Sequence, residues 1–241
     1  MRFIYRISNN SYKKDRLKNS SKEYCFLNFI KNLYTSNDKL YVIADNINGE
    51  LQKFLETNLP AGGHIFNVNT GSNGASFRLQ LNLVNQIPEN EIVFLHEDDY
   101  LYKSCSLDTD DQKLNHSLVI EGLEKADYVT LYDHPDKYIP PSQGGNPKIS
   151  DTGVEFTGVF LTANSHWKYT NSTTLTFAAY SKTLKEDLSL WAPHISGPHP
   201  YDFQAFLSLG KKGRNVASTI PGRSTHCDPH NLSPLTNWDD I

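Results

Sequence analysis

Three adjacent acids, Glu97-Asp98-Asp99, follow His96 at the end of the apolar run Ile92-Val93-Phe94-Leu95, and the chain then turns aromatic at Tyr100-Leu101-Tyr102. Carboxylates crowded at one spot repel each other unless a cation sits among them. Oxygen-only ligands point to Mg²⁺ or Mn²⁺ rather than zinc. The competing reading is an acidic strand end facing solvent. Four apolar residues without polar alternation read as a strand buried on both faces, as in a parallel sheet. Unpaired charge is too costly to bury there. The acids must therefore emerge at the strand's carboxyl end, where open α/β sheets bind ligands.

The elements that would position them alternate. Phe3 to Ile7 reads as a strand, followed by the polar run Ser8 to Ser21. Phe26, Phe29, Ile30 and Leu33 recur at helical spacing. Leu40 to Ala44 is a second strand, ending at Asp45-Asn46. Leu51, Phe54 and Leu55 mark a helix that Pro60-Ala61-Gly62-Gly63 stops. His64 to Val68 is a third strand. The turn cluster Asn69 to Gly74 leads into a helix bearing Phe77, Arg78, Leu81 and Val84, with Ser72 or Asn73 as its cap. The acidic strand, Glu91 to His96, comes next. Strand and helix alternating over the first hundred residues predict a parallel α/β half with right-handed crossovers.

Further on, a helix is expected over 111–125 and a strand over 128–132. Residues 135–150, rich in Pro and Gly, read as a long surface loop of a length that is usually functional. Short β-like pieces dominate 154–180, including 159–162 and 173–179. Short helices follow at 184–191 and 202–209, then a strand at 215–219, and the tail from Pro221 reads as irregular. The second half is thus mixed rather than βα-repeating.

Composition excludes several classes. The 241 residues are enough for one large domain with a substantial core. A net charge of −4 gives no electrostatic footprint for nucleic acid. Cys25, Cys105 and Cys227 are odd in number and far apart in sequence, which argues against a disulfide framework or a Cys-based zinc site and fits a reducing compartment. The opening Met1 to Ile7 is too short and charged for a signal peptide, and no apolar run approaches a membrane span. A cytoplasmic protein without stable membrane insertion is expected.

The order of segments up to the acids resembles the nucleotide-sugar glycosyltransferases of the GT-A fold, broadly their family-2-like inverting group. The resemblance covers roughly residues 1–100 and rests on the Asn69 to Gly74 turn, Arg78 on the helix after it, and Phe94-Leu95-His96-Glu97-Asp98-Asp99. The family's acidic signature is written D-x-D, with Glu-Asp-Asp as a variant. In that register Glu97 and Asp98 approach the nucleotide and sugar and Asp99 holds the metal. In the other register the triplet is His96-Glu97-Asp98, Asp98 is the ligand, and His96 stands where an acid is common. The resemblance also implies that Asp45 recognises the base or ribose, a turn or cap role being the alternative. Arg6 would reach the nucleotide, and Arg78 either the phosphates or Asp45.

An inverting transferase needs a base for the acceptor hydroxyl. Asp202, opening a helix after Gly197-Pro198-His199-Pro200, fits the family's place for it, although Asp in a first helical turn is stabilising by itself. Glu186 and Asp187 are alternatives, in a Lys-Glu-Asp run that otherwise reads as a solvated face. Late in the chain His226 or His230 matches a histidine that several such enzymes give to the metal. The alternative expectation is that the tail closes as a lid, with Arg223 on the diphosphate. Trp167, Tyr169, Trp191 and Trp238 offer faces for an acceptor sugar, or else fill the core.

The expectation is a single GT-A-like (Rossmann-like) α/β domain over 1–241: a mostly parallel sheet flanked by helices, with a mixed α+β acceptor side. Residues 1–103 would bind the nucleotide sugar, and 104–241 the acceptor. The activity expected is that of a hexosyltransferase, dependent on Mn²⁺ or Mg²⁺, passing a sugar with inversion from a nucleotide-diphosphate sugar (UDP-linked) to a carbohydrate or other hydroxyl acceptor. A sugar-nucleotidyltransferase is the alternative enzyme, but it calls for a Gly-rich basic loop after the first strand, and Ser8 to Lys14 has lysines without glycine. A non-catalytic carbohydrate-binding or assembly protein with a decayed donor site is the reading from another class. A metal-dependent phosphoesterase would want more His and Asp at several strand ends.

Overall fold

The computed structural model describes residues 1–9, 15–147 and 157–241. Apolar residues on both faces of the leading strands give the fold three layers. In β1 (Arg2–Ser8), Phe3, Tyr5 and Ile7 join one core and Ile4 the other. In β4 (Ile92–Glu97), Phe94 faces the first core, and Val93 and Leu95 face the second. The first core is closed by α1 (Lys22–Asn32), α2 (Gly49–Asn58) and α4 (Leu114–Leu123) through Phe26, Phe29, Leu51, Leu55, Leu118 and Val119. The second is closed by α3 (Asn73–Val84), α5 (Ser181–Ile195) and α6 (Asp202–Lys211) through Phe77, Leu81, Leu184, Trp191, Phe206 and Leu209. Side-chain caps start the early helices: Ser21, Asn48 and Ser72 accept the backbone N–H of Tyr24, Leu51 and Ala75.

Among the described residues nine strands form the central sheet. Besides β1 and β4 these are β2 (Lys39–Asp45), β3 (His64–Val68), β6 (Tyr128–Thr130), β7 (Val159–Leu161), β8 (His166–Thr170), β9 (Phe177–Tyr180) and β10 (Val216–Ile220), in the order β3-β2-β1-β4-β9-β6-β10-β8-β7. The first four are mutually parallel, with Ser8 beside Asp45 and Arg6 beside Glu97. β9 is antiparallel to both neighbours, β4 and β6. The parallel first half and mixed second half follow the sequence expectation. From β1 the chain builds outward through β2 and β3 on one side, then returns to place β4 on the other. The carboxyl ends of β1 and β4 flank that reversal, which is where open α/β sheets form their crevice.

Several expectations are corrected. The tail is not irregular: β11 (Ser224–His226) pairs antiparallel with β5 (Tyr100–Tyr102), setting His226 opposite Tyr100. A three-residue strand carries no period of its own, and its partner lies far away in sequence. β8 falls within the β-like stretch 154–180, and its sequence His-Trp-Lys-Tyr-Thr places Trp167 inward with its indole N–H on Thr162 Oγ1 at 2.9 Å. Trp167, Trp191 and Trp238 are all fully buried, so they are core rather than sugar platforms, and Tyr169 packs on Phe160. In the run around Asp187, Glu186 is exposed as expected, but Asp187 is not on the solvated face. Asp187 is fully buried and meets Lys212 at 2.6 Å, Arg214 Nε at 2.9 Å and the Tyr128 hydroxyl at 2.8 Å, tying α5 to the connection between α6 and β10. Within the expected surface loop, 3₁₀ turns form at Pro135–Lys137 and Pro141–Gln143, and Lys137 is buried. The end of that loop, the start of the β-like stretch at Val154, and Lys13 and Lys14 lie outside the described residues. Among the described residues no helix is long and apolar enough to cross a membrane.

α4 lies close to the sheet because Gly122 has no side chain. A Cβ there would stand 2.7 Å from Trp167 Cη2 and 2.8 Å from Val129 Cγ1. Gly122→Ala should therefore cost about 1–3 kcal/mol in urea unfolding, as overpacking does, despite the better helix propensity of Ala. Gly210→Ala in α6, where an added Cβ meets nothing within 4 Å, should be neutral or stabilising by up to about 1 kcal/mol.

Candidate functional site

Register decides which residue of the acidic run serves the core. His96 faces inward, stacked on Tyr5 at 4.7 Å between ring centroids, with Nδ1 on the Glu97 carbonyl at 2.6 Å and Nε2 receiving the Tyr102 hydroxyl at 2.9 Å. Burial holds its pKa down at about 3, so it is neutral. The triplet available for chemistry is Glu97-Asp98-Asp99, and His96 is a core residue.

The three acids have separate environments. Glu97 ends β4 and is paired in bidentate fashion with Arg6, its neighbour in β1; the second contact is Nε to Oε1 at 3.1 Å. Burial pushes the Glu97 carboxyl up to about 7 against the pull of Arg6. Arg6 also donates to the Asn73 carbonyl at 2.6 Å and to the Asn73 side chain, and lies over the Phe77 ring. Asp98 receives the Ser8 N–H at 2.9 Å and the Lys22 ammonium. Asp99 Oδ2 stands 3.2 Å from His226 Nε2 and 3.5 Å from Arg16 Nη2. The β5–β11 pairing holds His226 there, helped by the Cys227 N–H on the Asp99 carbonyl at 2.8 Å. Two of the three cysteines, distant in sequence, converge beside this point, with Cys25 Sγ and Cys227 Sγ 3.9 Å apart, buried and unlinked.

These groups border a cavity of about 390 Å³ at the carboxyl ends of β1, β2, β3 and β4. Most of the residues lining it are of polar type, including Arg6, Ser8, Arg16, Asp45, Asn46 and Asp99. Asp45 accepts the Thr70 N–H at 3.0 Å and the Thr70 hydroxyl at 2.5 Å, so it both fixes the 69–74 turn and fronts the cavity. The far wall is Pro198, brought in by an unusually close approach. Gly74 N–H donates to the Pro198 carbonyl at 2.8 Å, and a Cβ on Gly74 would fall 2.1 Å from the Gly197 carbonyl oxygen.

The remaining candidates lie elsewhere. Arg78 makes no pair with Asp45 and does not line the cavity; its guanidinium donates to the Ile195 carbonyl, anchoring the segment that carries Pro198. Asp202 opens α6 and accepts the Thr173 hydroxyl at 2.8 Å and the Leu175 N–H at 3.2 Å. The Thr173 carbonyl in turn accepts the Tyr100 hydroxyl at 2.9 Å, linking Asp202 to the residue after Asp99. Arg223 is no lid: it donates to Asn115 Oδ1 at 3.0 Å and to the Lys103 carbonyl at 3.3 Å. His230 is exposed in a 3₁₀ turn. Glu186 pairs with Arg214 at 2.6 Å. Sequence reasoning missed Arg16 and Lys22, which face the acids from before and within the first turn of α1; only the Ser21 cap signal, which sets where α1 begins, bears on their placement.

A metal seat was expected of Asp99, Asp98 and His226. Among the described residues no group of three or more His, Cys, Asp or Glu side chains is arranged to hold an ion. Asp99 and His226 do meet, and a carboxylate oxygen with an imidazole nitrogen is a donor pair that suits Mn²⁺. Two protein ligands with the rest from phosphate and water is a common arrangement for such ions.

No family model matches the chain, and no curated protein matches it in sequence. Solved structures do. A protein assigned as a glucose-1-phosphate thymidylyltransferase from Bacillus anthracis, in complex with sucrose, is 13% identical with a TM-score of 0.52, over 95% of this chain and 90% of that one. The fold is GT-A-like. The galactosyltransferase LgtC, in complex with donor and acceptor sugar analogues, is 14% identical with a TM-score of 0.46, over 90% of this chain and 73% of that one. S. aureus TarS 1–349 is 12% identical with a TM-score of 0.47, over 90% of this chain and 58% of that one. At these identities the likeness concerns the fold.

The neutral His96 makes stability depend on pH. Its folded pKa lies below the unfolded value near 6.5, so its contribution is fully present above that value and is lost as pH falls toward about 3. Between about pH 7 and about pH 5 the wild type should lose roughly 2 kcal/mol relative to His96→Gln, read from urea midpoints across that range. Parallel curves for the two proteins would show that His96 is not buried neutral.

Proposed function

We propose that this chain is a metal-dependent glycosyltransferase of the hexosyltransferase type. It takes its sugar from a nucleotide-diphosphate sugar, UDP-linked, and passes it with inversion to a carbohydrate hydroxyl. The observation that carries this reading is the meeting of Asp99 with His226 at the edge of a polar cavity, where the strand order reverses.

In this reading Asp99 and His226 would hold Mn²⁺ (or Mg²⁺), and Asp98 stands beside them. A bound cation of this kind neutralises the charge that grows on the leaving diphosphate. Asp45, already positioned by Thr70, would accept hydrogen bonds from the ribose or base. Glu97, engaged by Arg6, shapes the wall on which the sugar rests. Asp202 is the group assigned to take the acceptor proton as the sugar passes through its oxocarbenium-like state. Residues 1–103 would then serve the donor and 104–241 the acceptor within one domain.

Thermal unfolding tests this. With MnCl₂ and a panel of nucleotide sugars, one donor should raise the melting temperature, and only when Mn²⁺ is present. At a concentration of 100 Kd the gain is about 2.7 kcal/mol, roughly 5–11 °C for a chain of this size. Asp99→Ala, folded by circular dichroism, should lose the shift. Asp202→Asn should keep it while losing turnover. No shift with any donor in the folded wild type would reject the donor site.

A further inference from the structure

Each acid of the triplet is met by a basic side chain from the first part of the chain: Glu97 by Arg6, Asp98 by Lys22 and Asp99 by Arg16. The three contacts are not alike. Arg6 is bidentate on Glu97 and fixed further by Asn73. Lys22 hydrogen-bonds Asp98 directly, and that carboxylate also holds the Ser8 N–H. Arg16 only leans on Asp99, its closest approach being 3.5 Å, too long for a good hydrogen bond. Its Nη1 is buried with no hydrogen-bond partner among the described residues, and the side chain lines the cavity. A buried guanidinium N–H left unmade carries a desolvation penalty, so this side chain is short of an acceptor where it stands.

The oxygen that Arg16 approaches is the same Asp99 Oδ2 that faces His226. A guanidinium and a divalent cation repel, so holding both on that one oxygen is unfavourable. A cation arriving at Asp99 and His226 would displace Arg16. The anion that accompanies it in a donor is a diphosphate, and the planar fork of a guanidinium fits phosphate oxygens in bidentate fashion better than an ammonium does. We infer that Arg16 exchanges partners: it rests on Asp99 in the ligand-free protein and passes to the donor's diphosphate when a cation takes Asp99. Metal and diphosphate binding are thereby coupled through one side chain, which positions the leaving group. The inference rests on the reading of Asp99 and His226 as metal ligands.

The test is a binding measurement. Mn²⁺ alone is titrated into wild type, Arg16→Gln, Arg16→Lys and Asp99→Asn, following the EPR signal of free Mn²⁺. Inorganic pyrophosphate, which presents the diphosphate without committing to a base, is then titrated with Mn²⁺ held saturating. Arg16→Gln should bind Mn²⁺ alone roughly five- to a hundred-fold more tightly than wild type and pyrophosphate more weakly by a similar factor, the usual range of a coupling between sites. Arg16→Lys, which keeps the charge but loses the fork, should bind Mn²⁺ like wild type and pyrophosphate less well. Unchanged Mn²⁺ affinity in Arg16→Gln would overturn the exchange. So would tighter Mn²⁺ with unchanged pyrophosphate, which would make Arg16 a blocking group only. If Asp99→Asn abolishes Mn²⁺ binding in those cases, the metal reading stands while the exchange fails. If folded wild type takes up no Mn²⁺ at all, with or without pyrophosphate, the metal reading fails, and the exchange with it.

Discussion

The centre of this molecule depends on giving one carboxyl group a partner at the end of a sheet strand. Glu97 ends the strand that runs up through both cores, and Arg6 stands beside it in the register of the adjacent strand. A buried acid without that partner would cost several kcal/mol, and removing one side of such a pair typically costs about 3–5 kcal/mol. The same guanidinium reaches Asn73 at the start of α3. One side chain therefore joins two parallel strands and a helix where the sheet order reverses. With Glu97 committed, Asp98 and Asp99 are the acids that remain at the crevice, and they sit one and two residues beyond the wall that Glu97 makes.

Local chemistry shapes the rest of the crevice. Asp45 freezes the turn before α3 through both donors of Thr70, so a residue that fronts the cavity also builds its floor. The opposite wall depends on one glycine. At Gly74 any side chain would strike the 197 carbonyl, and the Ile195 carbonyl accepts from Arg78. Arg78 therefore acts at one remove, by holding the segment that delivers Pro198.

Much of the layout was legible from sequence because it is local. Apolar runs ending in Asp45 and Glu97, a helical period at Phe26 and Phe29, and turn residues at 69–74 each state their element within a few positions, and a parallel half-sheet follows from their alternation. What stayed hidden depends on residues far apart in sequence. Nothing within reach of Arg16 or Lys22 announces Asp99 or Asp98, and nothing near His226 announces Tyr100. Asp187 misled for the related reason that its neighbours are charged. Only the arrival of Lys212, Arg214 and Tyr128 makes burial of that carboxylate tolerable. His96 was ambiguous because one step along the chain separates a core histidine from an acid-triplet member, and only the facing aromatics Tyr5 and Tyr102 decide it.

The β5–β11 ribbon has a consequence in time as well as in space. During synthesis, residues 1–103 leave the ribosome with the four parallel strands and their acids complete. The strand that brings His226 against Asp99 emerges more than a hundred residues later, which at elongation rates of about 5–20 residues per second is a delay of several seconds or more. A nascent chain can thus build the crevice early, yet it lacks the Asp99–His226 contact until residues 224–226 have emerged to pair with β5.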